Sequence, residues 1–283
     1  MNDSIAIDGV RIPRFLYGTA WKEDDTERLT LLALRQGFRG IDTANQRKHY
    51  HEAAVGRAVS TVLNEVSIAR DDLFLQTKFT LRDGQDHRLP YNPAASIAEQ
   101  VEQSFASSLS HLGVETIDSY LLHGPSMRAG ISKEDWDAWR AMEAIHASGR
   151  TRILGVSNVT AEQLRILFAG ARVKPRFVQN RCYASRGWDR EVRSFCTENG
   201  IVYQGFSLLT ANRTAMEHPF LTRIAARHGC GAGPLVFRFA LAIGMIALTG
   251  TTSAEHMRAD LDILVLELVP EEIATIEGFL SLR

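Results

Sequence analysis

The segment GIDTANQRKHYHEAAVG, residues 40–56, sets Asp42, His49, Tyr50 and His51 within one short stretch. A carboxylate, a phenol and two imidazoles are proton-transfer groups wherever a fold gathers them. Farther along, Lys78 follows FLQT, His123 follows SYLL, and Ser157-Asn158, Gln179-Asn180 and Ser207 each follow a short apolar run. A buried aspartate and a buried lysine require each other, because either charge desolvated alone is costly. Taken singly, each residue has an ordinary explanation: a helix cap, a surface lysine, a satisfied core histidine. Which explanation holds depends on the elements that carry them.

Those elements are short apolar runs alternating with helical patterns. IAIDGVRI reads as a hairpin turning at Asp8-Gly9. After it come FLYGT, GIDTA, LFLQTKF, IDSYLLH, ILGVSN, FVQNRC, VYQGFS and MIALTG, eight candidate strands. Between them, Ile97, Val101, Phe105, Leu109 and Leu112 recur at steps of three and four, predicting a helix over 93–112 with Asn92-Pro93 at its start. Ser132 with Asp135, and Thr160 with Gln163, have capping-box spacing, and Gly149 stops the helix that Ser132 opens.

Strands separated by helices pair in parallel. Eight such units in a chain of 283 residues predict one (β/α)8 TIM barrel over residues 1–283, with an N-terminal β-hairpin. The competing doubly wound sheet would favour a Gly-rich fingerprint after the first strand, and LYGTAWKEDD has none. In a barrel the polar strand ends share one rim, which is where barrels do chemistry.

Composition narrows the setting. Apolar residues make up 45% and charged residues 23%, the proportions of a globular chain. A formal charge of −1 gives no overall field for nucleic acid or an anionic membrane. Cys182, Cys196 and Cys230 lack metal-ligand spacing, so free thiols, no metal and a reducing, cytoplasmic setting are expected. No apolar stretch approaches the roughly 20 residues that span a bilayer. Nothing in the residues specifies an oligomeric state.

With GIDTA, TKF, LLHGP, GVSN and VQNRCY in order on successive strands, the chain resembles the aldo-keto reductases, NAD(P)H-dependent carbonyl reductases built on this barrel. The resemblance implies a catalytic set of Asp42, Tyr50, Lys78 and His123. Tyr50 would be the general acid, Lys78 would lower its pKa, Asp42 would hold Lys78, and His123 would orient the carbonyl. It also implies cofactor contacts at Ser157, Asn158, Gln179, Phe206, Ser207, Leu209, Gly250, Thr251, Thr252, His256 and Asp260. The implied substrate walls are Trp21, Phe79 and Tyr183, with Arg181 and Cys182 as further candidates.

Two departures stand out. The family's tyrosine commonly lies five positions after the aspartate, whereas Tyr50 lies eight after Asp42, and an ungapped alignment from EAAVG puts His49 in its place. The lysine and arginine that usually grip the NADPH 2′-phosphate are here Gly250 and His256, and Asp260 replaces an asparagine. Arg258 is a candidate substitute. NADPH is the cofactor implied, with NADH as an alternative. The favoured function is reduction of a small aldehyde or ketone. A catalytically silent nicotinamide-binding regulatory barrel and a phosphate-binding barrel isomerase are the competing functions.

Overall fold

Asp8 and Gly9 have φ of 50° and 79°, the paired positive values of a tight hairpin turn, and join antiparallel strands β1 (Ser4–Ile7) and β2 (Val10–Pro13). The computed structural model describes residues 4–65 and 68–278, so the expected single domain over 1–283 includes residues outside it. Beyond the hairpin, each apolar run is a strand: β3 (Phe15–Gly18), β4 (Gly40–Asp42), β5 (Phe74–Phe79), β6 (Ile117–Leu122), β7 (Thr151–Ser157), β8 (Phe177–Arg181), β9 (Val202–Phe206) and β10 (Ile246–Thr249). They pair in parallel in chain order, and β10 closes the barrel on β3. The open sheet is excluded.

Helices α1 (Thr26–Gln36), α2 (Glu52–Asn64), α3 (Ile97–Leu112), α4 (Lys133–Ala147), α5 (Ala161–Gly170) and α6 (Arg190–Glu198) connect the strands up to β9. Three more, α7 (Arg213–Met216), α8 (Pro219–Arg227) and α9 (Ala232–Ala242), lie between β9 and β10. The chain then runs through α10 (Ala254–Asp262) and α11 (Pro270–Glu277). The Ser132–Asp135 and Thr160–Gln163 capping boxes form, and Gly149 follows α4 with φ 77°. The start of α3 differs from the sequence expectation. Ser96 and Glu99 form a reciprocal cap there, satisfying two orphan donors, while Asn92 accepts from the Ala94 N–H and closes a turn outside the helix.

The strand period of two separates the barrel's faces. In β5, Leu75 and Phe79 pack among the helices, whereas Phe74 belongs to a second apolar cluster inside the barrel. That inner cluster joins Leu16, Phe74, Leu121, Ile153, Phe177 and Ile246 to Ile7, Val10 and Ile12 of the hairpin. The hairpin thus plugs one end of the barrel with apolar side chains. Each buried side chain of this size contributes roughly 1.5–3 kcal/mol, so this end is sealed against water. The polar residues of the same strands lie toward the other end.

Candidate active site

Lys78 and Asp42 lie at the floor of that open end, both buried. Lys78 Nζ donates to Asp42 Oδ1 at 2.7 Å, to Oδ2 at 2.8 Å and to Thr43 O at 2.8 Å, which uses all three N–H bonds. Burial pushes the Lys78 pKa down, and the Asp42 charge and hydrogen bonds oppose that shift. Beneath the pair lies a polar layer built from inward strand positions. Gln76 Nε2 and Gln179 Nε2 donate to Asp42 Oδ1 at 2.7 and 2.9 Å, and both also donate to Gln204 Oε1. Gln204 Nε2 and Ser119 Oγ both donate to Gln76 Oε1. The Asp42 carboxylate is therefore fixed by three side chains from two strands, Gln76 and Lys78 of β5 and Gln179 of β8.

Above the floor, Lys78 Nζ lies 5.2 Å from the centre of the Tyr50 ring. Tyr50 meets the His123 ring edge-on, with centroids 5.9 Å apart. Here the structure departs from the expected tuning. The ammonium faces the ring with its donors already committed, and the phenol pKa is raised, by burial first and by the Asp42 charge second. His123 Nδ1 is 2.6 Å from Thr80 Oγ1, and loss of water, with Lys78 and His49 nearby, lowers its pKa to about 3. The imidazole is neutral over the ordinary pH range. His49 lines the same cavity but stacks on Trp21, with ring centres 3.9 Å apart, and its backbone carbonyl accepts from the Trp21 N–H.

The rest of the opening stretch is scaffold. Glu52 accepts from Thr77 Oγ1 and pairs with His111 at 3.0 Å, tying α2 to β5 and α3.

Asp42, Tyr50 and His123 line one end of a cavity of about 720 Å³ that extends to the β10–α10 loop. Of the residues implied by resemblance, Ser157, Asn158, Gln179, Phe206, Ser207, Leu209, Gly250, Thr251, His256 and Asp260 line it. Asn158 and Ser207 have φ of 52° and 55°, left-handed values that cost non-glycine residues energy and that concentrate at functional sites. Asn158 Nδ2 donates to His123 O at 2.8 Å, and Ser157 Oγ donates to Gln179 O at 2.7 Å. The Asn158 and Gln179 amides thus spend their N–H groups on the protein. Phe206 both lines the cavity and packs on the inner apolar cluster.

Several expectations are corrected. Phe79 faces outward, with its ring 5.8 Å from Tyr91 in the helix-facing core, because it alternates with inward Lys78. Tyr183 stands off the cavity under the Arg186 guanidinium, and Cys182 is a buried free thiol whose pKa burial pushes up to about 12. Thr252 is exposed and does not line the cavity. Arg258 donates to Gln36 on α1 rather than reaching the cavity. Trp21 does line it, and is 69% exposed.

Lys22 was missed. It lines the cavity from the β3–α1 loop, and its ammonium donates to Gly250 O. Gln76, Ser119 and Gln204 were also missed, although each occupies an inward position that alternation along its strand would have marked.

A closed (β/α)8 barrel with a buried ion pair beneath a phenol and an imidazole, opening on a long groove, defines an oxidoreductase of the barrel type. The chain belongs to the aldo/keto reductase family, whose model matches residues 16–281, and it is accordingly an NAD(P)H-dependent reductase of carbonyls. It is 28% identical over 273 residues to the uncharacterized oxidoreductase YtbE of Bacillus subtilis (strain 168), covering 96% of this chain and 90% of that protein. It is 27% identical to a glyoxal reductase of the same organism, covering 98% and 93%. An aldo/keto reductase crystal structure from Brucella melitensis superposes with a TM-score of 0.82 at 26% identity, covering 98% of each chain. Among the described residues no helix is long and apolar enough to cross a membrane.

Proposed function

We propose that this chain reduces a small aldehyde or ketone to the alcohol, with Tyr50 as proton donor, Lys78 and Asp42 as its charged support, and His123 as the group that orients the carbonyl. The Lys78–Asp42 pair beneath Tyr50 and His123, at one end of the long cavity, carries this reading. A reduced nicotinamide, when bound, supplies the hydride.

Burial keeps Tyr50 protonated, so its proton moves only toward a strong base. The alkoxide that forms at the carbonyl oxygen is such a base, stronger than a phenolate. Lys78, fixed at the ring face, stabilises the phenolate left behind, and Asp42 holds Lys78 in place. His123, being neutral, can donate one hydrogen bond to the carbonyl oxygen without competing as an acid.

The cavity residues fit a dinucleotide. The Asn158 and Gln179 amide oxygens would accept from a carboxamide, and Phe206 offers a flat apolar face to a ring. Lys22, Thr251 and the N-terminus of α10, capped by Ser253, would hold the anionic portion. His256 and Asp260 would meet the adenosine portion. Either NADPH or NADH would serve, because Lys22 and His256 are the cation-forming side chains there while Asp260 is acidic. The substrate end is walled by Trp21 and His49, which suits small carbonyl compounds with an apolar body.

The test is titration with each reduced nicotinamide while following tryptophan fluorescence, then a carbonyl panel scored by loss of nicotinamide absorbance. Saturable binding with turnover supports the proposal. Binding without turnover on any carbonyl would instead indicate a silent regulatory barrel.

A further inference from the structure

Thr80 lies two residues past Lys78 and is buried. Its hydroxyl has one partner among the described residues, His123 Nδ1 at 2.6 Å. The rest of the residue is held on all sides. Its carbonyl accepts from Tyr91 Oη at 2.9 Å and from Gln85 Nε2 at 3.4 Å. Its methyl occupies space that a Cβ at Gly84 would contest, at 2.6 Å. β-Branching and this packing restrict the side chain's χ1, and the oxygen is aimed at the imidazole.

A neutral imidazole carries one N–H, and the hydrogen bond at one nitrogen decides which nitrogen has it. Were Nδ1 the donor, the Thr80 O–H would be buried without an acceptor, and Nε2 would turn a lone pair toward an incoming carbonyl oxygen. With Thr80 donating to Nδ1, both groups are satisfied and Nε2 keeps the proton. We propose that Thr80 is the positioning residue that holds His123 as the Nε2–H tautomer, so that the ring presents a donor to the substrate oxygen. This rests on the reductase reading for its consequence, whereas the tautomer itself can be observed without substrate or cofactor.

The experiment is a long-range proton–nitrogen correlation spectrum of the histidine-labelled protein at neutral pH, with His123 assigned by its loss in His123→Asn. The expected pattern is a single Nε2–H tautomer whose Nδ1 resonates as a hydrogen-bonded acceptor. In Thr80→Val the Nδ1 signal should move to the value of an unbonded acceptor. There kcat should fall about tenfold or more, with KM changing less, since a transition-state donor is lost. Thr80→Ser should restore both. A wild-type spectrum of the Nδ1–H form overturns the proposal, as does a Thr80→Val enzyme with unchanged kcat. Should the valine variant not fold, the wild-type and serine spectra still decide. The expected tautomer in a protein that reduces no carbonyl would sink the reductase reading instead. The opposite tautomer in an active enzyme would sink only the role of Thr80.

Discussion

The two ends of the long cavity are built differently. At the barrel floor, Asp42 takes hydrogen bonds from Lys78, Gln76 and Gln179, and those glutamines are bonded in turn to Gln204. Every member of that set is buried. At the β10–α10 end, His256 is exposed and stands 3.5 Å from Thr251 Oγ1, Arg258 points away, and the buried acid Asp260 has Thr249 Oγ1 as its hydrogen-bond donor. The difference teaches that the proposed reacting centre is held by a buried, mutually bonded set of side chains, whereas the groups proposed for the far end of a cofactor are exposed or singly bonded. A preorganised centre is costly to alter and a loose end is cheap to alter.

The comparison can be broken first at the ion pair. Lys78→Met leaves Asp42 charged and buried with only amide donors, so unfolding free energy should drop by about 3–5 kcal/mol and turnover should be lost. Denaturant melts and steady-state rates check both. A variant of wild-type stability would mean that the pair does not support the floor.

Gln76→Ala should cost roughly 3 kcal/mol, because Gln204 Nε2 and Ser119 Oγ lose their buried acceptor. Stability unchanged in the same melts would show the polar layer to be incidental.

Asp260 gives the far end a pH signature. Desolvation raises its carboxyl pKa to about 6, against the hydrogen bond from Thr249. An acid raised on folding stabilises the native state below its unfolded pKa of about 3.9, and that contribution disappears as pH rises through the folded value. Asp260→Asn should therefore raise thermal stability more at pH 8 than at pH 5, by an amount on the order of 2 kcal/mol. An equal effect at both pH values would contradict the burial argument.

The smallest effect expected is discrimination between NADPH and NADH. Dissociation constants within about tenfold of each other, or about 1.4 kcal/mol, fit the sparse far end. A thousandfold preference would mean that a cation the structure leaves on the surface swings in.

The fold was largely legible because each barrel strand is a short apolar run bounded by turn or cap residues. The rim was legible too, since Asp42, Lys78, His123 and Ser157 each terminate such a run. Phe79 was misread because an aromatic beside a site lysine invites a pocket role, while strand alternation sends it outward. Tyr183 and Arg258 were misread for a related reason: nearness in sequence to a rim does not say which way a loop or helix turns a side chain. Thr80, Gln76 and Gln204 act through partners from 25 to 128 positions away, and only three-dimensional contact reveals those partners.

The account turns on a phenol that surrenders its proton above a buried ammonium. Tyr50→Phe, assayed for carbonyl reduction and for cofactor affinity in one preparation, tests this most directly. Turnover should fall by roughly 10²–10⁴, with cofactor dissociation constants essentially unchanged. Reduction persisting near the wild-type rate would assign the proton to some other group and leave the Lys78–Asp42 pair without its catalytic purpose.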